Sequence, residues 1–131
     1  MNPEVLVIDD EWAVSRALAA RLEASGFETR IAVNGLDGLA AIEHSRPDAV
    51  LLDLRMPDID GLEVLRRIRE DPRHADLPVI MLTANVQDAV RGEALALGAR
   101  AFFGKPFDHH ALVAALRRMT KPAAGMEGIA S

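Results

Sequence analysis

Apolar and polar positions along the chain form blocks that predict five strands separated by five helices. The apolar runs that predict strands lie at residues 5–8, 27–33, 49–52, 79–82 and 101–103. Four of these runs are continuously apolar, as expected of strands covered on both faces, whereas residues 27–33 alternate apolar with polar side chains. We therefore predict a parallel sheet with the second strand at one edge.

Segments with helical spacing of apolar residues lie between and after these runs. The predicted stripes consist of Val14, Ala17, Leu18 and Leu22; Leu36, Leu39 and Ala40; Leu62, Leu65 and Ile68; Val86, Val90, Ala94 and Leu97; and Leu112, Val113, Leu116 and Met119. Asn34 and Asn85 are predicted N-caps, and Gly26 is a predicted C-terminal stop. Regular alternation of strand and helix predicts an α/β protein of (βα)5 architecture with right-handed crossovers.

Composition narrows the class of protein. The chain has 131 residues, a formal net charge of −5 and no cysteine. One domain over residues 1–120 is expected, and residues 121–131 have the composition of a flexible tail or the start of a linker. The acidic charge argues against direct nucleic-acid binding, and the first apolar run is too short for a membrane span or signal peptide. A cytoplasmic location is expected.

Polar residues follow four of the predicted strands where each strand ends. Asp9 and Asp10 follow the first, Asp53 the third, Thr83 ends the fourth and Lys105 follows the fifth. Because the carboxyl ends of parallel strands share one edge of the sheet, these groups are expected to lie together. Crowded carboxylates either hold protons or hold a cation, and an all-oxygen set favours Mg²⁺. A carboxylate near a metal can attack phosphorus, and Asp53 is the predicted nucleophile.

The motifs VLVIDDE, VLLDLRMPDIDG, VIMLTA and FFGKPF occur in an order and spacing that resemble a response regulator receiver domain, over about residues 4–119. The resemblance implies a three-layer flavodoxin-like fold, with a parallel five-stranded sheet of strand order 2-1-3-4-5. It also implies a phosphoacceptor switch of a two-component phosphorelay rather than an enzyme, apart from self-phosphorylation and self-dephosphorylation.

Roles for individual residues follow from the same resemblance. It makes Asp53 the phosphoacceptor, with Asp9, Asp10, Asp53 and the backbone carbonyl of Arg55 as the Mg²⁺ ligands. Thr83 and Lys105 are then the phosphoryl-contacting pair.

Further implications concern the switch and the partners. Phe102 is the aromatic residue that turns inward when Thr83 moves, and the Lys105–Pro106 peptide is expected to be cis. The phosphodonor is a histidine kinase or a histidine phosphotransfer protein. Phosphorylation changes what the face of helix four, strand five and helix five binds, either a downstream protein or an output domain. A monomer and a phosphorylation-dependent dimer both remain open.

Other classes of function compete with this one. A haloacid dehalogenase-type phosphatase would need a second aspartate two residues after Asp53, where Arg55 stands. A receiver used only as an unphosphorylated binding module would not need the full set of polar residues at the strand ends. A flavin or dinucleotide binder would need a glycine-rich loop after a strand.

Simpler roles are expected for four polar or aromatic residues outside the strand ends. Asp58 and Asp60 are expected to be solvated loop residues, and His74 an exposed one. Trp12 either anchors a partner or packs over the start of the first helix.

Overall fold

The chain folds as five parallel strands and five α-helices in strict alternation, in a computed structural model that describes residues 2–84 and 87–120. The strands are β1 (Glu4–Ile8), β2 (Glu28–Ala32), β3 (Ala49–Leu52), β4 (Val79–Thr83) and β5 (Ala101–Gly104). The helices are α1 (Trp12–Ala24), α2 (Gly35–His44), α3 (Gly61–Glu70), α4 (Asp88–Ala96) and α5 (His109–Thr120), with a 3₁₀ turn, η1 (Pro72–His74), after α3.

The strand order is β2-β1-β3-β4-β5, and every pairing is parallel. This confirms the flavodoxin-like (βα)5 prediction, including β2 as an edge strand. The inner strands β3 and β4 are buried along their whole length, as their continuous apolar runs predicted.

Apolar side chains form one core on each face of the sheet, which gives the predicted three layers. One core receives Ile42 from α2 and Leu65 from α3. The other receives Leu22 from α1 and Leu116 from α5. Alternate residues along each strand point into opposite cores, so the sheet is covered on both sides.

Two helices are rotated relative to the predicted stripes. In α1, Val14 and Ala17 are exposed, and Ser15 and Ala19 are buried in their place. The reason is that small side chains allow α1 to approach the sheet closely, which an apolar periodicity does not reveal.

In α2 the predicted inward residues Leu36 and Ala40 are exposed, and Gly35, Gly38 and Ile42 face the sheet. A Cβ on Gly38 would overlap the side chain of Ile8, so the helix packs through its glycines. Leu39 is partly buried, and the predicted cap is confirmed: the Asn34 side chain accepts a hydrogen bond from the Asp37 amide at 2.7 Å.

Asp58 is an exposed loop residue, as predicted, and it also has a structural role. Its two carboxylate oxygens accept hydrogen bonds from the amides of Gly35 at 3.0 Å and Leu36 at 2.8 Å. Asp60 likewise caps α3 by accepting from the Glu63 amide at 2.9 Å. Helix N-termini carry unpaired amides that a carboxylate satisfies, and here the loop after β3 supplies one to α2.

Replacing Asp58 with alanine is therefore expected to lower the melting temperature by roughly 3 to 6 °C, because two amides at the start of α2 lose their acceptor. Thermal denaturation followed by circular dichroism measures the effect. Asp58→Asn keeps one acceptor oxygen and should lose less. Equal stability of Asp58→Ala and the parent would show that the capping contributes nothing.

Three predictions lie outside the described residues: the Asn85 cap, the Val86 position of the fourth stripe and the tail at 121–131. Among the helices that are described, none has both the length and the apolar character needed to cross a membrane.

Candidate functional site

The polar residues predicted at the strand ends lie together at the carboxyl edge of the sheet. Backbone hydrogen bonds extend the sheet ladder by one residue at each point: the Asp9 amide donates to the Ala32 carbonyl at 3.0 Å and the Asp53 amide to the Ile8 carbonyl at 2.9 Å. The Lys105 amide donates to the Thr83 carbonyl at 2.9 Å. The backbone of the site is therefore positioned by the sheet itself.

Three carboxylates form a compact cluster at this edge. Asp9 and Asp53 are buried, and Asp10 is exposed to solvent. Each offers one oxygen, and the three oxygens lie within 4.8 Å of one another. Asp9 also accepts a hydrogen bond from the Glu11 amide at 3.0 Å, which orients its carboxylate. Such an arrangement of oxygen donors can hold a hard divalent cation.

Lys105 supplies the positive charge beside this cluster. Its ammonium nitrogen lies 2.7 Å from Asp9 Oδ2 and 3.6 Å from Asp53 Oδ2. Burial alone would lower the pKa of Lys105, but the hydrogen bond that it donates to Asp9 and the charge of Asp53 raise the pKa overall. Lys105 therefore stays charged at neutral pH.

Burial, which disfavours the carboxylate charge, raises the pKa of Asp53, and repulsion from Asp9 adds to the rise. Lys105 and the amides of Leu54 and Arg55 act in the opposite direction. The Leu54 amide donates to Asp53 Oδ1 at 2.7 Å. The other carboxylate oxygen of Asp53 is the one near the ammonium nitrogen of Lys105.

An open cleft of about 430 Å³ lies over the carboxylates. Thr83, Lys105 and Arg55 line it together with Asp10 and Asp53. Thr83 is almost completely buried, with 1% of its surface exposed. The cleft has room for a tetrahedral anionic group, with a hydroxyl, an ammonium and a guanidinium on its walls.

The proline-containing loop after Asp53 returns to the site at Gly61. The Gly61 amide donates to the Leu54 carbonyl at 2.7 Å, which closes the loop at the start of α3. A Cβ at this position would overlap the backbone carbonyl of Asp53 and lie 2.9 Å from the Leu54 Cα. Glycine is thus required where the helix begins against the backbone of Asp53.

Phe102 points into the core on the α3–α4 side of the sheet, with 9% of its surface exposed. The Arg91 guanidinium carbon lies 5.9 Å from the centre of its ring. Phe103 faces the opposite core. Phe102 therefore contacts α4 through Arg91. The Lys105–Pro106 peptide is cis, as the resemblance implied.

Ser15 lies beside the site and was not predicted from the sequence. It is fully buried on α1, and its hydroxyl donates to the Asp9 backbone carbonyl at 3.3 Å. The available signal was a polar residue in the first turn of α1, five residues after Asp10. Trp12 lies nearby on the surface, 53% exposed, with the Arg16 guanidinium carbon 5.5 Å from its ring centre.

The chain is similar in sequence to bacterial transcriptional regulators. The chain is 39% identical over 121 residues to the DNA-binding dual master transcriptional regulator RpaA of Synechocystis sp., covering 91% of this chain and 49% of RpaA. It is 37% identical over 123 residues to the phosphate regulon transcriptional regulatory protein PhoB of Rhizobium meliloti, covering 94% of this chain and 54% of PhoB. The chain spans about half the length of these relatives.

Solved structures share the fold over nearly the whole chain. The signal receiver domain of a DNA-binding response regulator from Colwellia psychrerythraea superimposes with a TM-score of 0.86 at 29% identity, covering 92% of this chain and 100% of that one. The chemotaxis response regulator CheY4 of Vibrio cholerae gives a TM-score of 0.83 at 28% identity, with coverages of 91% and 99%. The family model of the response regulator receiver domain matches residues 5–117. The chain therefore belongs to the response regulator receiver domain family.

Proposed function

We propose that this receiver domain is a phosphoacceptor switch in which Asp53 takes a phosphoryl group from a histidine kinase or a histidine phosphotransfer protein in the cytoplasm. The observation that carries the proposal is the position of the Asp53 carboxylate. It lies at the end of β3, in contact with the open cleft, 3.6 Å from the Lys105 ammonium nitrogen and beside the acidic residues Asp9 and Asp10.

In the transfer, an Asp53 carboxylate oxygen attacks phosphorus, and the bond between phosphorus and the donor's imidazole nitrogen breaks. The bonding electrons stay on that nitrogen, and because the other ring nitrogen of the phosphohistidine carries a proton, the donor side chain leaves as neutral imidazole. Lys105 neutralises charge on the incoming oxygens, and the Thr83 hydroxyl donates to one of them. Both groups already border the cleft in which the phosphoryl group would sit.

The donor set at the carboxyl edge of the sheet fits Mg²⁺, since all its members are oxygens and one of the three carboxylates is open to solvent. Asp9, Asp10, Asp53 and the backbone carbonyl of Arg55 would hold the ion. When bound, Mg²⁺ neutralises negative charge that would otherwise repel an incoming phosphoryl group.

The consequence of phosphorylation is a shift between two conformations of the face formed by α4, β5 and α5. Thr83 moves toward the phosphoryl group, and Phe102 follows, because both residues lie on the strands that lead from the site to this face. The altered face then binds a downstream protein or an output domain, as a monomer or as a phosphorylation-dependent dimer. RpaA is named as DNA-binding, and an output domain of that kind fits the length that the chain leaves unmatched in its relatives.

The test is the mass of the intact protein after incubation with acetyl phosphate. We expect a gain of one phosphoryl group with Mg²⁺ and none with a chelator, and peptide mapping should place the group on the segment that contains Asp53. No gain in mass with Mg²⁺ present would contradict the proposal.

Lys105→Met is expected to slow phosphorylation of Asp53 by roughly two orders of magnitude, since it removes the charge that faces the transferred group. The variant also lacks the main influence that lowers the pKa of Asp53. Its rate should therefore decline at a higher pH than the parent's as the solution is acidified, because the nucleophile is the ionised carboxylate. The measurement is the initial rate from acetyl phosphate as a function of pH.

Lys121→Met is the matched control, because it removes the same charge from the chain. An unchanged rate and pH profile in Lys105→Met would show that this lysine is not a phosphoryl-contacting residue.

A further inference from the structure

A second cluster of metal-ligating side chains lies at the end of the molecule opposite Asp53. Glu43 is near the end of α2, and Asp71 and His74 belong to the turn that follows α3. In a βα unit the helix returns toward the amino end of its strand, so both helices end at the edge of the sheet away from the carboxylate cluster. This site is therefore independent of the proposed function.

His74 is the unusual member of the cluster. The sequence predicted an exposed residue, but only 8% of its surface is accessible. Neither ring nitrogen has a hydrogen-bond partner among the described residues. Buried polar atoms are nearly always paired, because water is lost without replacement, so an unpaired imidazole calls for a ligand or an explanation in packing.

Two carboxylates lie close to this imidazole. Glu43 and Asp71 each offer one oxygen, and these two oxygens and a ring nitrogen of His74 lie within 4.8 Å of one another. Imidazole nitrogen together with carboxylate oxygen suits zinc and the other divalent transition metals, whereas Mg²⁺ and Ca²⁺ prefer oxygen alone. We propose that Glu43, Asp71 and His74 form a binding site for a divalent transition-metal ion of the zinc type, with solvent completing the coordination.

The guanidinium of Arg73 is the positive group beside Glu43 and Asp71. Its guanidinium lies 2.7 Å from Glu43 Oε2 and 2.7 Å from Asp71 Oδ2, so it bridges the two carboxylates. The side chains of Arg73 and Glu43 are 61% and 59% exposed. The contact with Glu43 joins two exposed side chains and contributes little free energy, whereas the contact with Asp71 is bidentate, since Arg73 Nε also donates to Asp71 Oδ1 at 3.1 Å. The guanidinium is therefore the competitor that a metal ion must displace. It pairs with the two carboxylates and gives the buried imidazole no partner.

A metal at this position would connect α2 to the turn after α3. The two helices already pack against each other on one face of the sheet, and a coordinated ion would add a cross-link between their ends. Binding to the folded state alone raises stability by mass action, so zinc is expected to raise the melting temperature as its concentration increases.

The experiment titrates Zn²⁺ into the chelator-treated full chain by calorimetry, with excess Mg²⁺ present to occupy the carboxylates around Asp53. We expect about one zinc ion bound per chain and a shift of the His74 imidazole resonances in the NMR spectrum. Glu43→Gln and His74→Leu should each weaken binding at least tenfold. Arg73→Gln should strengthen binding, because it removes the competing guanidinium.

Several variants keep the test decisive. His74→Leu replaces an unpaired buried imidazole with an apolar side chain and is expected to fold, while Glu43→Gln changes an exposed residue. His110→Gln and Asp53→Asn are the controls for binding to a surface histidine and to the carboxylate cluster, and both should bind zinc as the parent does. The proposal is overturned if neither the parent nor Arg73→Gln binds zinc, or if His74→Leu binds it with the parent's affinity.

Discussion

An Asp53→Asn variant is expected to take up no phosphoryl group from acetyl phosphate and to melt a few degrees above the parent when Mg²⁺ is chelated. Loss of phosphorylation follows because an amide oxygen is not a nucleophile toward phosphorus under these conditions. Higher stability follows because Asp53 is a buried carboxylate, 7% exposed, beside a second buried carboxylate. An amide of the same shape removes this repulsion and still accepts the hydrogen bond from Leu54.

The gain in stability of Asp53→Asn over the parent should increase as the pH rises. Because burial raises the pKa of Asp53 above its ordinary value of 3.8, the folded state holds this proton more tightly than the unfolded state. The resulting stabilisation is complete below the unfolded pKa and is lost as the pH rises through the folded pKa. The difference in melting temperature between variant and parent should therefore be large at pH 7 and should disappear below about pH 4.

Asp60→Asn is the matched control for both measurements. It makes the same chemical change at the far end of the loop that begins at Asp53, where asparagine caps α3 as well as aspartate does. We expect it to be phosphorylated like the parent and to show no comparable gain in stability. Phosphorylation of Asp53→Asn to the parent's extent would place the acceptor elsewhere and overturn the assignment.

Gly61→Ala is expected to destabilise the fold by about 3 kcal/mol, because the added methyl group meets backbone rather than a movable side chain. The obstructing atoms are the Asp53 carbonyl oxygen and the Leu54 Cα, 2.9 Å from the new Cβ. Relief requires α3 to move away or the backbone of Asp53 to shift, so the rate of phosphorylation should fall as well. Urea denaturation and the acetyl phosphate assay measure the two effects.

Gly92→Ala is expected to change stability in the opposite direction from Gly61→Ala. Gly92 lies inside α4, and a Cβ there has no heavy atom within 4 Å. Alanine favours a helix over glycine by about 1 kcal/mol, so this variant should be more stable than the parent. If both substitutions changed stability in the same direction, the close contact at Gly61 would not be the cause.

Periodicity and punctuation by themselves determined the elements of this protein. Continuous apolar runs marked the inner strands β3 and β4, and alternation marked β2 as an edge strand. The Asn34 cap and the stop at Gly26, which has a positive φ of 98°, were also predicted. These features depend on contacts within a few residues or on burial of a whole segment. A single sequence records both directly.

Tertiary packing decided which face of each helix is buried and which single polar side chains are buried or act as caps. Nothing local distinguishes Val14 from Ser15 as the buried residue of α1, since the choice depends on how closely the helix approaches the sheet. Asp58 caps a helix that precedes it by more than twenty residues, and His74 is buried although it stands in a polar stretch of the sequence. Each outcome depends on partners distant in the chain.

Some features of the proposed site likewise followed from the sequence, and others only from the tertiary structure. The residue types at the strand ends, and the edge of the sheet at which they meet, followed from the sequence because parallel strands bring their carboxyl ends together. The tertiary structure alone decided that Lys105 lies 2.7 Å from Asp9 and 3.6 Å from Asp53, so that the ammonium is shared unequally by the two acids. These distances depend on strand register, sheet twist and side-chain rotamers, which are set by the packing of the whole domain.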